Sequence, residues 1–335
     1  MVNGTYVGTY QITDRVKVES GRVLASDKNT DWLLEIASNG EVGANDLYVE
    51  GDETNPNIVI KNPDTDEWSD DQKDELKTAV SNYFTTFWTD IENKVDQTSF
   101  INWYVASEIL GGFKQLSDIY VYKDNADGKL HFGPLWSNDK AYGNNTKHPV
   151  DMSDLNTAGS YSGMLFKHAD YKVMCNKIEA LWQQQWFKDA VIAKWNTIYG
   201  DSKTTDLQAA LTAKIDVLAA EIAQTRVDNY ASTENGGAGW TLEGEYSAAV
   251  KAIKDYLNQR FPYLDTKFRE LAASSTRKGD INGDREVNVA DVTTLVDYIL
   301  GKNPTNCNEG ACDINGDNEI NVSDVTSLVD IILSK

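Results

Sequence analysis

The chain has 335 residues, 41% of them hydrophobic, which is enough for one large domain with its own core and a small second one. Its 52 acidic and 31 basic side chains give a net charge of −21, and this argues against DNA or RNA as a partner and disfavours anionic membrane surfaces, because no basic surplus exists to displace phosphate counterions. No apolar run approaches the roughly twenty residues of a bilayer span, and no signal-peptide pattern follows Met1.

Residues 2–25 alternate apolar and polar positions between glycines, as in Tyr6-Val7-Gly8-Thr9-Tyr10 and Val16-Lys17-Val18. That pattern predicts a β-hairpin or meander. Trp32–Ile36 predicts a further strand, and the Asn-, Asp-, Gly- and Pro-rich stretch 40–68 predicts irregular loops. Ser69-Asp70-Asp71-Gln72 has the form of a capping box and should open an amphipathic helix reaching about Asn93. A second helix is expected over Gln97–Leu110, carrying Phe100, Ile101, Trp103, Tyr104 and Ile109.

Strands are expected over Asp118–Lys123 and Lys129–Phe132, on either side of the Asp127-Gly128 turn, with Tyr120 and Tyr122 as cross-strand pairing residues. From Leu165 to about Leu271 the pattern is mainly helical, interrupted at Gly236–Gly239. Early strands and late helices make residues 1–271 an α+β domain. Residues 272–279 are small and polar without apolar periodicity, so they read as a linker, and a second domain begins at Asp280.

There are three cysteines. Cys175 lies in an apolar helical pattern and reads as a buried small hydrophobe. Cys307 and Cys312 flank a short segment and would be free thiols or a loop disulfide according to compartment. No further Cys or His lies near enough to complete a zinc site.

The segments starting at Asp280 and Asp313 are near-copies thirty-three residues apart, each leading into nearly the same helix. Their spacing is that of a twelve-residue calcium loop with oxygen donors at positions 1, 3, 5, 7, 9 and 12. In the first loop these are Asp280, Asn282, Asp284, Glu286 (through its carbonyl), Asn288 and Asp291. In the second they are Asp313, Asn315, Asp317, Glu319, Asn321 and Asp324. Position 12 is Asp where ordinary EF-hands have Glu, and position 6 is Arg285 or Asn318 where they have Gly. Two calcium ions are expected, and without them the crowded carboxylates should leave the segment largely unfolded.

A duplicated loop and helix with no helix before the first loop resembles the dockerin family, over all of 280–335. The resemblance implies a small all-α calcium-binding domain that binds a cohesin module on a scaffold or cell-surface protein. It places the partner-facing residues at Val289, Ala290 and Val296 and at Val322, Ser323 and Val329. These differ from the Ser-Thr and Lys-Arg pairs of the best-known clostridial members, which implies a divergent cohesin. The twin repeats imply that binding can take either of two orientations.

The first domain resembles the CotH kinase-like family. The resemblance is carried by Asn3-Gly4-Thr5-Tyr6-Val7-Gly8-Thr9-Tyr10, Trp32-Leu33-Leu34-Glu35, the helix ending at Glu108, Ile119-Tyr120-Val121-Tyr122, Gly133-Pro134-Leu135-Trp136 and Arg260-Phe261-Pro262-Tyr263. It implies a kinase-like fold using magnesium and ATP, in which one carboxylate orients the attacking hydroxyl and another holds the metal. Here the matching positions are Lys114 and Ser137, with Asp139 retained, and these substitutions argue against both ligands. Glu108, Asp118 and Asp139 are the remaining catalytic candidates, as a surface cluster that could hold a metal. The chain also begins inside the family's domain, so the expectation is an N-terminally incomplete one that has lost its signal peptide. The reading that follows is an extracellular, dockerin-bearing component of a cellulosome-like assembly linked to polysaccharide degradation, with a CotH-like domain inactive as a kinase. An active secreted-protein kinase or a glycoside hydrolase is the alternative.

Overall fold

The computed structural model describes residues 16–18, 30–37, 42–43, 46–112, 116–136, 138, 141–144, 150–223, 225, 243–273, 279–282, 286–302, 304, 307, 311–317 and 319–333. Most of the predicted N-terminal hairpin, Gly236–Gly239, linker residues 274–278, Lys114, Ser137, Asp139, Asp284, Arg285 and Asn318 lie outside the described residues. The chain divides into two compact units, one of Met1–Lys177 with Ala193–Lys267 and one of Ile178–Ile192 with Phe268–Lys335.

The sheet of the first unit is antiparallel throughout, in the order β2-β3-β1-β4-β5. Its strands are β1 (Trp32–Ala37), β2 (Tyr48–Val49), β3 (Asn57–Asn62), β4 (Ile119–Lys123) and β5 (Leu130–Phe132). β1 is central and buries Leu33, Leu34, Ile36 and Ala37, so it reads as a near-continuous apolar run. β2 and β3 correct the loop expected over 40–68. Ile58, Val59 and Ile60 are a buried β-branched run that pairs with β1, and their signal was diluted by the Asn, Asp and Pro on either side. Tyr122 pairs with His131 and stacks on its ring, with centroids 4.7 Å apart.

Helix α1 (Asp70–Phe87) opens on the expected capping box, with Ser69 accepting from the Gln72 N–H and Gln72 accepting from the Ser69 N–H. It ends six residues earlier than expected, and a separate turn, α2 (Ile91–Lys94), follows. The break falls at Thr89 and Asp90, whose side chains bond locally to the Thr86 carbonyl and the Asn93 amide in competition with the helix ladder. Helix α3 (Gln97–Leu110) starts at its Asp96 cap and stops at Gly111, whose φ of 58° is left-handed. A Cβ on Gly111 would also sit 2.2 Å from the Tyr256 hydroxyl, so glycine is required there twice over. The second half is helical as expected, with α4 (Lys172–Leu181), α5 (Gln185–Ile198), α6 (Leu207–Glu221) and α7 (Glu243–Ala273).

The C-terminal repeats contribute α8 (Val289–Ile299) and α9 (Val322–Leu333). Each repeat sends equivalent residues, Ile281 with Leu295 and Ile314 with Leu328, into one apolar core that also holds Val287, Ala311 and Cys312. Neither repeat buries this face alone, which explains why two copies occur together.

Candidate functional site

Glu108 is the most constrained polar residue of the first unit. It lies in the last turn of α3, a helix that buries Tyr104, Val105, Ser107 and Ile109 around it. Its carboxylate accepts from the Tyr104 hydroxyl at 2.9 Å, from the Leu165 N–H at 3.2 Å and from Arg260 Nη2 at 2.9 Å. Arg260 also donates to the Glu108 carbonyl at 2.8 Å and the Gly163 carbonyl at 2.7 Å. Neither side chain of the pair is exposed. Burial pushes the Glu108 carboxyl above its ordinary value, and Arg260, the Leu165 N–H and Tyr104 pull it back.

This geometry corrects the expected surface cluster. Glu108 is interior, and its oxygens already face three donors, so it acts as a tie between α3, the 163–165 segment and α7. Asp118 is half-buried at the start of β4, and Asp139 lies outside the described residues. Neighbouring residues of α7 extend the tie. Tyr263 accepts from the Gly163 N–H at 3.0 Å, and the fully buried Lys267 donates to the Asp154 and Thr157 carbonyls at 2.9 and 3.0 Å. Arg260 was visible in the sequence only as part of a motif. Its partner lies 152 residues away, a pairing that spacing does not encode.

The described residues that flank the expected catalytic positions, 110–112 on one side and 138 with 141–142 on the other, meet. Tyr142 donates to the Leu110 carbonyl at 2.8 Å, and a Cβ on Gly112 would lie 3.6 Å from Ala141 and 3.9 Å from Asn138 Oδ1. At Trp136 an open cleft of about 1040 Å³ is lined by Lys17, Lys61 and Lys73, by Asp46, Asp64 and Asp66, and by Trp68 and Tyr120. Burial pushes the Tyr120 phenol up to about 12, with Glu35 adding to the shift.

In the second unit the position-12 carboxylates organise both loops. Asp291 Oδ1 accepts from Ile281 and Asn282 N–H groups at 2.7 and 3.0 Å, and its Oδ2 accepts from Asn288 at 2.8 Å. Asp324 repeats the arrangement with Ile314, Asn315 and Asn321 at 2.7, 3.1 and 2.9 Å. Burial opposes the charge on Asp324, but these N–H groups outweigh it and hold its carboxyl below the ordinary value. Asn315 and Asp317, the donors expected at positions 3 and 5 of the second loop, touch at 2.8 Å, and Asp313 accepts from the Gly316 N–H. Among the described residues no three His, Cys, Asp or Glu side chains gather as a metal cluster; the other expected donors are Asn side chains, two carbonyls and Asp284, which lies outside the described residues. The donor set still suits a hard cation: Asp280, Asp291 and Asp324 are fully buried carboxylates in a small unit with an apolar core, and burying charge is costly without compensation.

The six expected partner-facing residues all reach the surface, with Val289 and Val322 at 70% and 69% exposure. Sequence reasoning missed Leu300 and Leu333, which are 64% and 78% exposed at the ends of the two helices. Their equivalent places in the repeat, one helical face along from Val289 and Val296 or Val322 and Val329, were the available signal.

A sequence model of the family described as "CotH kinase protein" matches residues 1–264, and one described as "Dockerin type I domain" matches residues 278–333. No curated protein and no solved structure matches the chain. Type I dockerin domains bind calcium and cohesin modules, and proteins that carry them are typically extracellular. No helix among the described residues is long and apolar enough to cross a membrane.

Proposed function

Since the chain belongs to the CotH kinase protein family and carries a type I dockerin, we propose that it is a secreted component of a cohesin-based, polysaccharide-degrading assembly, whose CotH-like domain is cargo and not a phosphoryl-transfer catalyst. In this reading the CotH-like domain is 1–271 and the dockerin 280–335, and the linker expected over 272–279 is shorter than that, since α7 runs to Ala273 and the Gly279 N–H donates to the Ala311 carbonyl. The observation that carries it is the twinned architecture of the second unit: two loops, each closed by a buried Asp, below two helices that expose matching apolar faces. Two calcium ions would be held by Asp280, Asn282, Asp284, Asn288 and Asp291 and by Asp313, Asn315, Asp317, Asn321 and Asp324, with the Glu286 and Glu319 carbonyls. The cation supplies the charge that compensates the carboxylates. Asp291 and Asp324 set each loop's start against its helix, and Val289, Val296, Val322 and Val329 form the cohesin-facing surface.

The proposal that the first domain is inactive rests on Lys114 and Ser137 in the positions where the family has carboxylates, and on Glu108 being committed to Arg260. Isothermal titration of the full chain should show two calcium ions bound and no binding of ATP with magnesium. Calcium-dependent capture by a panel of purified cohesin modules should be abolished by chelation. Capture by no cohesin of the panel would sink the assembly reading, and capture that persists in excess chelator would sink its dependence on calcium.

A second reading is that the domain phosphorylates secreted proteins, with the cleft beside Trp136 as its candidate site: Lys17, Lys61 and Lys73 line it together with Asp46, Asp64 and Asp66, and Lys61 pairs with Glu35 at 3.0 Å. Transfer of labelled phosphate that Asp139→Ala abolishes would establish it.

A further inference from the structure

Cys307 and Cys312 stand with their sulfurs 3.8 Å apart, already in contact. Cys312 is fully buried in the core shared by the two repeats, and Cys307 packs against that core while remaining partly exposed. Cys312 directly precedes Asp313, the first donor of the second loop, and the Ala311 carbonyl beside it accepts from the N–H of Gly279, which directly precedes Asp280. Ala311 and Cys312 therefore stand beside the starts of both loops. We propose that Cys307 and Cys312 form a disulfide clasp that pre-orders the second calcium loop, and this rests on the calcium reading above.

The more accessible Cys307 reacts first with a small external disulfide such as oxidised glutathione. Its sulfur bonds to one glutathione sulfur, the glutathione S–S bond breaks, and one reduced glutathione leaves. Cys312 then attacks the Cys307 sulfur, forming the intramolecular bond and releasing the second reduced glutathione. The protein pair gives up two electrons and two protons, and the reagent takes up both. The product closes a short loop, which lowers the freedom of the metal-free segment before calcium arrives. Cys175 is buried in the other unit and takes no part.

The test uses the full chain equilibrated with oxidised or with reduced glutathione. Peptide mapping of the oxidised sample should find 307 joined to 312 with the loss of two hydrogens, and Cys175 as the single remaining thiol. Calcium titration of Asp291→Ala, which leaves the second loop to bind, should then show about a tenfold loss of affinity on reduction, with the first loop, read in Asp324→Ala, less changed. Cys307→Ser, at the less buried position, should behave like the reduced protein under both conditions. Three free thiols after oxidation, or a bridge involving Cys175, would overturn the clasp. Equal calcium affinities in both redox states would overturn its role even if the bond forms. Failure of either loop to bind calcium in either state would overturn that role together with the calcium reading, while the peptide map reports on the bond independently.

Discussion

Arg260 Nη2 lies 2.9 Å from Oε2 of Glu108, and both side chains are sealed from solvent. Arg260 also spends two further N–H groups on the Glu108 and Gly163 carbonyls. The pair joins the end of α3 to α7 and fixes the backbone between them.

Breaking one member leaves the other as an unpaired buried charge. Glu108→Gln should therefore cost about 3–5 kcal/mol of stability, read by urea unfolding of the tryptophan fluorescence. Glu108→Leu combined with Arg260→Met should cost less than the sum of the single changes, because no charge is left stranded. An additive double variant would mean that the two residues do not act as a pair.

The position-12 carboxylates tie each calcium loop to its helix. Asp324→Ala removes a donor of the second loop and three hydrogen bonds at once. Calorimetry should find two calcium ions on the unaltered chain and one on the variant. Chelation should remove the circular-dichroism signal of α8 and α9 from both proteins.

Asp154 gives a pH dependence with a definite sign. Burial works against its charge, but the Ser162 N–H at 2.7 Å and nearby hydroxyls hold its carboxyl below the ordinary value. The folded state thus keeps Asp154 ionised at a pH where the unfolded chain has begun to bind its proton. Its contribution is full above the unfolded pKa of about 4 and is lost as pH falls through the lower folded value. Unfolding free energies measured from pH 6 down to about pH 2 should fall less steeply for Asp154→Asn than for the unaltered protein. Parallel curves would remove Asp154 from the account.

Val289 and Val322 occupy equivalent exposed places in the two repeats. Val289→Asp alone should lower cohesin affinity only about twofold, since one of two binding orientations survives. The double change with Val322→Asp should cost more than about 2 kcal/mol, as loss of a central contact does. Thermal unfolding should be nearly unchanged in both, as for other surface substitutions. Surface plasmon resonance on an immobilised cohesin separates the two cases.

The dockerin repeats were legible in the sequence because everything that defines them is local. Donors fall within twelve residues, the helix follows directly, and a second copy repeats the pattern thirty-three residues on. α3 was legible for a related reason, its Asp96 cap and Gly111 stop lying at its own ends. β3 was not, because a short strand takes its identity from the β1 edge it pairs with more than from its own composition. Glu108 shows the same limit at a functional position. The sequence presents an acid at the end of a helix, which suits a catalytic site as well as a structural one. Only the tertiary fold brings Arg260 across 152 residues and closes Tyr104 and Leu165 around the carboxylate. Local spacing determines which groups can share a metal loop. Burial and long-range pairing determine whether a charged group faces a substrate or holds the core together.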